Sequence, residues 1–431
     1  MSLPSSARWR HLVADLTPLH TSAPYRRIWI GQLVSSIGTQ MTAVALPIQV
    51  YALTRSAFAV GLIGMAQLVP LVLLGLVGGA LVDAVDRRRV LLVTSTLLGL
   101  GSAVLAALAI AGLRQVWPLY LVAAFQAAVS AVDAPARGTI APRLLPQHQI
   151  LAASALGQLA MNTGLTAGPL AAGLLIALFG LQAPYLLDVL SYGYALYSIV
   201  RLPPMPLGVA ARAPGLESVV EGLRWLRHQP LVLASFLLDL DAMIFGMPRA
   251  LFPAFAAEQY GAGAEVAGVL YAAPAIGALL AGVLSGPVGR IRRQGLGVTL
   301  AIAVWGLAIA GFGVAPWPWL GALLLALAGG ADLVSSVLRN TILQVAAPDR
   351  MRGRLYGLFI IIVTGGPRLG DMESGTVAAL TNARVSAWSG GLLCLVGLAA
   401  LAAALPTTLR YRAAEAEGAS TAAPLPDSAA T

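Results

Sequence analysis

The chain has 431 residues, 58% hydrophobic and 10% charged, with a mean hydropathy of +0.81, a net charge of +9 and a pI near 10. Such a composition excludes a soluble globular domain and points to a protein that crosses the membrane many times. All 27 basic residues are arginine, so no lysine is available for a phosphate-binding loop, and the single Cys394 leaves no disulfide or cysteine metal site.

In chain order, residues 1–27 form a short N-terminal segment carrying Arg8, Arg10, Arg26 and Arg27. Apolar stretches of roughly 20 residues follow, the length a helix needs to cross ~30 Å of hydrocarbon. The first half, 28–200, holds predicted helices at about 28–51, 58–82, 90–112, 117–136, 150–179 and 184–200. The widest interior break, 201–230, opens on Pro203, Pro204 and Pro206. It then places Leu216, Val219, Val220, Leu223 and Leu226 on one face of an amphipathic helix. That helix is expected either to lie on the cytoplasmic membrane surface or to pack under the bundle as a spacer. The second half, 231–405, holds helices at about 231–256, 264–288, 295–314, 317–339, 353–380 and 384–405, and a tail at 406–431 reads as disordered. The fold expected is all-α and integral to the membrane, with twelve transmembrane helices in two six-helix halves.

Every second connection is rich in arginine: Arg87 to Arg89, Arg137 and Arg143, Arg201 to Arg227, Arg290 to Arg293, Arg339 to Arg354, and Arg410 and Arg412. The alternate connections hold only Arg55, Arg114 and Arg384. Arginine stays on the cytoplasmic side during insertion, so both termini are expected in the cytoplasm; the arginine-only, alanine-rich usage hints at a bacterium, whose inner membrane would hold the spans. The positive charge then reflects topology and lipid contact, and no nucleic-acid partner is expected.

The halves resemble each other. Arg137-Gly138-Thr139-Ile140 after the fourth predicted helix matches Arg339-Asn340-Thr341-Ile342 after the tenth, with Pro146 and Pro348 at the same offset. Pro47 matches Pro253, and Gly79 matches Gly286. Several matches in order suggest duplicated halves that are pseudo-symmetric, an arrangement that places a substrate site between repeats.

The second cytoplasmic loop reads Gly79-Ala-Leu-Val-Asp83-Ala-Val-Asp86-Arg87-Arg88-Arg89. Its position and spacing resemble the signature of the major facilitator superfamily, although Ala84 stands where a basic residue is usual and Asp86 where glycine is usual. Ala250-Leu251-Phe252-Pro253, Asp133-Ala-Pro-Ala-Arg137 and Gly365-Gly366-Pro367-Arg368-Leu369-Gly370-Asp371 resemble the bacterial branch that contains the enterobactin exporter and related multidrug efflux proteins. The resemblance runs from about Tyr25 to Pro406. It implies the major facilitator fold and proton-driven export by alternating access. It also implies a cytoplasmic gate in which Gly79 permits close helix approach and Asp83 and Arg87 engage Asp133 beside Arg137.

Charges within spans are costly, on the order of 3 kcal/mol on lenient scales, and so mark candidate coupling residues. These are Asp239, Asp241 and Arg249 in the seventh predicted helix and Arg368, Asp371 and Glu373 in the eleventh. Asp239 and Asp241 lie ~200° apart on a helix, Asp241 and Arg249 ~80°, and Arg368 and Asp371 are spaced to pair directly. One seventh-helix aspartate is expected to carry the proton, with Arg368 and Asp371 as a structural pair. Asp188 and Asp332 are expected near helix ends, reaching toward the interface. Gln40, Gln49, Gln67, Gln126, Gln158 and Asn162 are candidates for lining an apolar substrate cavity or for bonding helices together.

The function expected is secondary active transport, with proton-coupled export of an amphipathic, drug-like or siderophore-like molecule. A nutrient importer, or a lipid scramblase or receptor on the same fold, stays open. The partners expected are the substrate, protons and lipids, with the protein a monomer. His11, His20, His148 and His228 all lie outside the spans and form no constellation for metal or nucleophilic chemistry, so no enzyme, cofactor or metal is expected.

Overall fold

The computed structural model describes residues 15–203, 216–286, 291–346 and 348–406, and no strand occurs among them. The first six long helices are α1 (Ala23–Thr54), α2 (Ala57–Ala84), α3 (Arg87–Ile110), α4 (Trp117–Gly138), α5 (Ile150–Phe179) and α6 (Gln182–Val200). The linker helix α7 (Leu216–Leu226) is followed by α8 (Pro230–Phe245), α9 (Ala264–Val283), α10 (Gln294–Val314), α11 (Pro318–Ala346), α12 (Asp349–Leu380) and α13 (Ala383–Ala404). Helix is the only open-chain structure that satisfies its own backbone in hydrocarbon, which is why apolar runs of this length take it.

Ten helical stretches among the described residues are long and apolar enough to cross a membrane. The other two long helices, α6 and α12, are held below that level by their polar residues. α6 carries Asp188 and four tyrosines, and α12 carries Arg368, Asp371 and Glu373. The tail and part of the 201–230 linker lie outside the described residues.

The ends of several helices follow from local chemistry. Ser22, Ser56 and Asn382 cap α1, α2 and α13 through their side-chain oxygens. Asp86, one of the two residues that depart from the family pattern, caps α3 by accepting the Arg88 N–H at 2.8 Å. Arg55 closes α1 in the left-handed region, with φ 52°, so that α2 begins after two residues.

The chain forms two compact units, Met1–Ala213 with Phe252–Ala272 and Pro214–Leu251 with Ala273–Thr431. In the first, α1 packs on α5 and α6, α2 on α4, and α3 on α4 and α6. A Cβ added at Gly164 would strike Ser36, and one at Gly168 would strike Gln40, so glycine lets α5 approach α1 closely. In the second, α8 packs on α12 and α13, and α10 on α11 and α13. Prolines lie inside α2 (Pro70) and α5 (Pro169), and again inside α9 (Pro274) and α12 (Pro367).

Two elements differ from, or decide between, the sequence expectations. The linker helix packs against α12: Leu226 joins a cluster with Val232, Phe236, Met351, Leu355 and Leu358, and Glu221 accepts a bond from Arg354 at 2.6 Å. The seventh predicted span is not one helix. α8 stops at Phe245, and Arg249–Leu251 makes a 3₁₀ turn. Phe252–Ala254 adds one helical turn and Phe255–Gln259 a π-helix. Pro248 and Pro253 lack the N–H that a continuous ladder needs, and Gly246 sits where Trp305 leaves no room for a Cβ. Pro47, by contrast, sits inside an unbroken 32-residue α1.

Candidate functional site

Among the described residues the first unit holds two buried carboxylates. Asp133 on α4 pairs with Arg137 one turn later. Thr94 of α3 donates to Asp133 Oδ1 at 2.6 Å, and Arg137 Nη2 donates to Ser95 Oγ at 3.0 Å, so the pair also pins α3. Arg88 donates to the Val200 carbonyl at 2.7 Å, tying α3 to the end of α6. The surroundings of Gly79 and the side chain of Asp83 lie outside what the structure describes, and Arg87 stands at the first position of α3.

Asp188 does not reach toward an interface as expected. It is 1% exposed and accepts bonds from Thr42 (2.7 Å), Ser102 (2.6 Å) and Ser191 (3.2 Å), which come from α1, α3 and α6. Three hydroxyl donors satisfy the carboxylate where no water can, which removes the need to snorkel. Gln126 donates to Ser102 at 3.2 Å and so belongs to this network. Gln49 is buried and accepts from Tyr185 at 2.7 Å, so it bonds α1 to α6. Gln40, Gln67 and Asn162 are half-buried, and Gln158 is exposed. A cleft of about 400 Å³ lies among the N-terminal ends of α1 and α5 and the C-terminal end of α4, lined by Tyr25, Trp29, Gln32, Arg137 and Ser154.

The second unit brings Asp239 of α8 to Arg339 of α11 as an ion pair in which both side chains are under a tenth exposed. Arg339 also reaches Asp332, two turns earlier on its own helix, at 3.6 Å. Small voids flank the arginine, one of about 20 Å³ lined by Asp239, Asn340 and Phe359 and one of about 10 Å³ lined by Asp332 and Trp305. The larger has room for a water molecule. Asp332 therefore stands midway along α11 and meets a cation there, not at a helix end, with its side chain 42% exposed.

Asp241 points elsewhere, onto Cys394 and Gly397 of α13, with Oδ2 buried and without a hydrogen-bond partner. The pairing of Asp241 with Arg249 suggested by their helical angle is not made, because the break after Phe245 carries Arg249 off the helical register. Arg249 instead interacts with Asp371 and Arg368. Asp371 accepts the Ala250 N–H at 3.1 Å, and the Arg368 guanidinium donates to the Thr364 carbonyl one turn back. Glu373 is half-buried.

Sequence reasoning missed three features: Arg339 as an interior cation, the hydroxyl cage of Asp188, and the bond from Tyr51 to Glu258 in the π-helix. Only the first had a signal, in the match of Arg339 to Arg137.

Comparison with known proteins places this geometry. Residues 13–428 match the transmembrane secretion effector family. The chain is 30% identical over 389 residues to the enterobactin exporter EntS of Shigella boydii serotype 18 (strain CDC 3083-94 / BS512), covering 89% of this chain and 92% of that protein. The same figures hold for EntS of Escherichia coli O81 (strain ED1a). Among solved structures, a bacterial homolog to the human lysosomal transporter Spinster superposes with TM-score 0.72 at 15% identity, covering 90% of this chain and 98% of that one. The nucleoside transporter NupG does so with TM-score 0.68 at 15% identity, covering 90% and 100%. Those two share the fold. The chain belongs to the transmembrane secretion effector family of the major facilitator superfamily, and is a multi-pass membrane transporter, not an enzyme.

Proposed function

We propose that this protein exports an amphipathic, siderophore-like or drug-like molecule in exchange for protons. It works as a monomer in a bacterial inner membrane with both termini in the cytoplasm and six helices on either side of the 201–230 linker. The observation that carries the reading is similarity to enterobactin exporters along nearly the whole chain. The alternating arginines support the orientation.

For coupling, the best-supported carrier is Asp239. One guanidinium serves both Asp239 and Asp332, so a proton on either carboxylate leaves the other still paired. A water-sized void reaches Asp239. At the gate, Asp83 and Arg87 act with the Asp133–Arg137 pair, which α3 and α4 already share.

The reading is tested in inside-out vesicles carrying a proton gradient. Enterobactin and a panel of amphipathic drugs are added, and the gradient and compound uptake are followed together. Uptake of a compound with loss of the gradient is expected. Uptake indifferent to an uncoupler would overturn proton coupling, and no uptake of any compound would overturn export. Asp83→Asn should cut uptake strongly with protein still in the membrane, whereas Arg89→Gln should change little. Equal, mild effects would remove the gate.

A further inference from the structure

Helix α5 lies tight against α1 over part of its length and parts from it toward its N-terminal end. At Gly164 and Gly168 an added Cβ would strike Ser36 and Gln40, whereas at Gly157, two turns before Gly164, it would meet no other atom within 4 Å. The same holds at Gly138, the last residue of α4. Where the two backbones part, aromatic side chains of α1 reach across. The Trp29 indole N–H donates to the Leu156 carbonyl at 2.9 Å, and the Tyr25 hydroxyl donates to the Ala153 carbonyl at 3.2 Å. The space left between this aromatic wall and the end of α4 is the cleft of about 400 Å³. Close-packed bundles leave few voids larger than a water molecule, and small-molecule sites run to ~300–1,000 Å³.

The lining narrows what the cleft can hold. Trp29 and Tyr25 have committed their polar atoms to α5, so what they offer is ring surface. Ala134, Ala141 and the two glycines leave the remaining walls low. Arg137 brings no unbalanced charge, because it pairs with Asp133 and donates to Ser95 at 3.0 Å. Ser154 donates back to the Ile150 carbonyl at 3.0 Å. Among the described residues no hydrogen bond ends on the side-chain amide of Gln32, which lines the cleft half-buried. The cleft is thus apolar and aromatic, with an amide at its edge ready to give or accept one bond.

We propose that this cleft is the entry site for the transported molecule, and that it takes a flat aromatic ring system whose polar substituent, a hydroxyl or carbonyl, bonds Gln32. The inference rests on the exporter reading and names the class of its cargo. The arginine placement that supports the orientation puts this end of the unit in the cytoplasm, where the cargo of an exporter begins.

The test labels the full-length protein in lipid nanodiscs at Gly157→Cys, with Cys394→Ala removing the native thiol. The reagent is a maleimide, and the probes are 2-naphthol, naphthalene and decahydro-2-naphthol. Without a probe the introduced thiol should react freely, because its position opens on empty space. 2-Naphthol at saturation should slow the reaction at least tenfold. Decahydro-2-naphthol, which keeps the hydroxyl but is not flat, should leave it unchanged. Naphthalene should protect only at about fivefold higher concentration than 2-naphthol, and Gln32→Leu should erase that difference without weakening naphthalene. On the native background, Gly157→Phe should fill the cleft and stop uptake, whereas Gly157→Ala should transport as wild type does. The inference is overturned by slow labelling before any probe is added, by no protection from either aromatic, by equal protection from the saturated alcohol, or by normal uptake in Gly157→Phe. A Gln32→Leu variant that still prefers 2-naphthol would overturn the role of the amide. Protection in this pattern by a protein that moves no compound would count against export alone.

Discussion

Arg137 and Arg339 head matching Arg-x-Thr-Ile runs in the two halves, yet they hold their helices in different ways. Arg137 pairs with Asp133 one turn earlier on the same helix, and Thr94 and Ser95 of α3 complete the contact. One turn before Arg339 the chain has Ser335 instead, and the arginine crosses to Asp239 of α8, with Asp332 as a second carboxylate. The two matching runs keep the cation and differ in where its anion stands. The consequence is mechanical. An ion pair within one helix stays intact when that helix moves as a body, whereas a pair between helices registers any displacement of one against the other. The second unit therefore holds its charge balance in a form that helix movement can change, and the first does not.

The comparison predicts its largest effect at Arg339. Arg339→Gln leaves Asp239 and Asp332 without their cation in a site where the arginine is 7% exposed. Breaking a buried pair in this way costs about 3–5 kcal/mol. Purified Arg339→Gln should unfold well below the wild-type temperature or fail to accumulate in the membrane. Asp239→Asn combined with Arg339→Gln removes both charges and should recover much of that stability without recovering proton-driven uptake. A double variant as unstable as the single one would show that the pair is not the unit that matters.

The corresponding change in the first half should be milder. In Arg137→Gln the carboxylate of Asp133 keeps its bond from Thr94, and the pair is more open to water, at 16% and 10% exposure. The loss is then that of a charged hydrogen bond, about 1.5–3 kcal/mol, rather than that of a stranded buried charge. Thermal unfolding in the same detergent checks this directly. If Arg137→Gln destabilises as much as Arg339→Gln, the difference between in-helix and cross-helix pairing has no energetic content.

The spans and their order were legible because hydropathy over twenty residues is a local property, and the repeat was legible because its signature residues kept their order. Partners were not. Asp188 looked like a helix-end residue because its donors, Thr42, Ser102 and Ser191, come from three helices and are ordinary small polar residues in the sequence. Arg339 looked like one more cytoplasmic arginine because the alternation already accounted for it, so nothing asked for a carboxylate across the bundle. The break at Gly246 was half-legible. Pro248 and Pro253 warned of an irregularity, but a proline inside a span is often tolerated, as Pro47 is in α1. What ends α8 is Pro248, which cannot donate back to the last turn, acting with the crowding of Gly246 by Trp305, whose ring N–H bonds the Gly246 carbonyl at 2.9 Å. That contact depends on α10, which is about sixty residues away in sequence.

A third pair, Glu221 with Arg354, sets the low end of the scale. It joins the linker helix α7 to α12 across 2.6 Å, but its side chains are 46% and 33% exposed. Water screens such a pair and its long side chains lose entropy in forming it, so its worth is about 0.5 kcal/mol or less. The attachment of α7 rests instead on Leu226, which is 5% exposed within the cluster of Phe236, Met351, Leu355 and Leu358. Glu221→Gln should therefore leave the unfolding temperature and uptake close to wild type, and raising the salt concentration should change neither. Leu226→Ala should cost about 2–4 kcal/mol through the cavity it leaves. If the order of these two variants were reversed, the linker would be held by charge, and the contrast between Arg137 and Arg339 would then be one of degree of exposure rather than of which helices the pair connects.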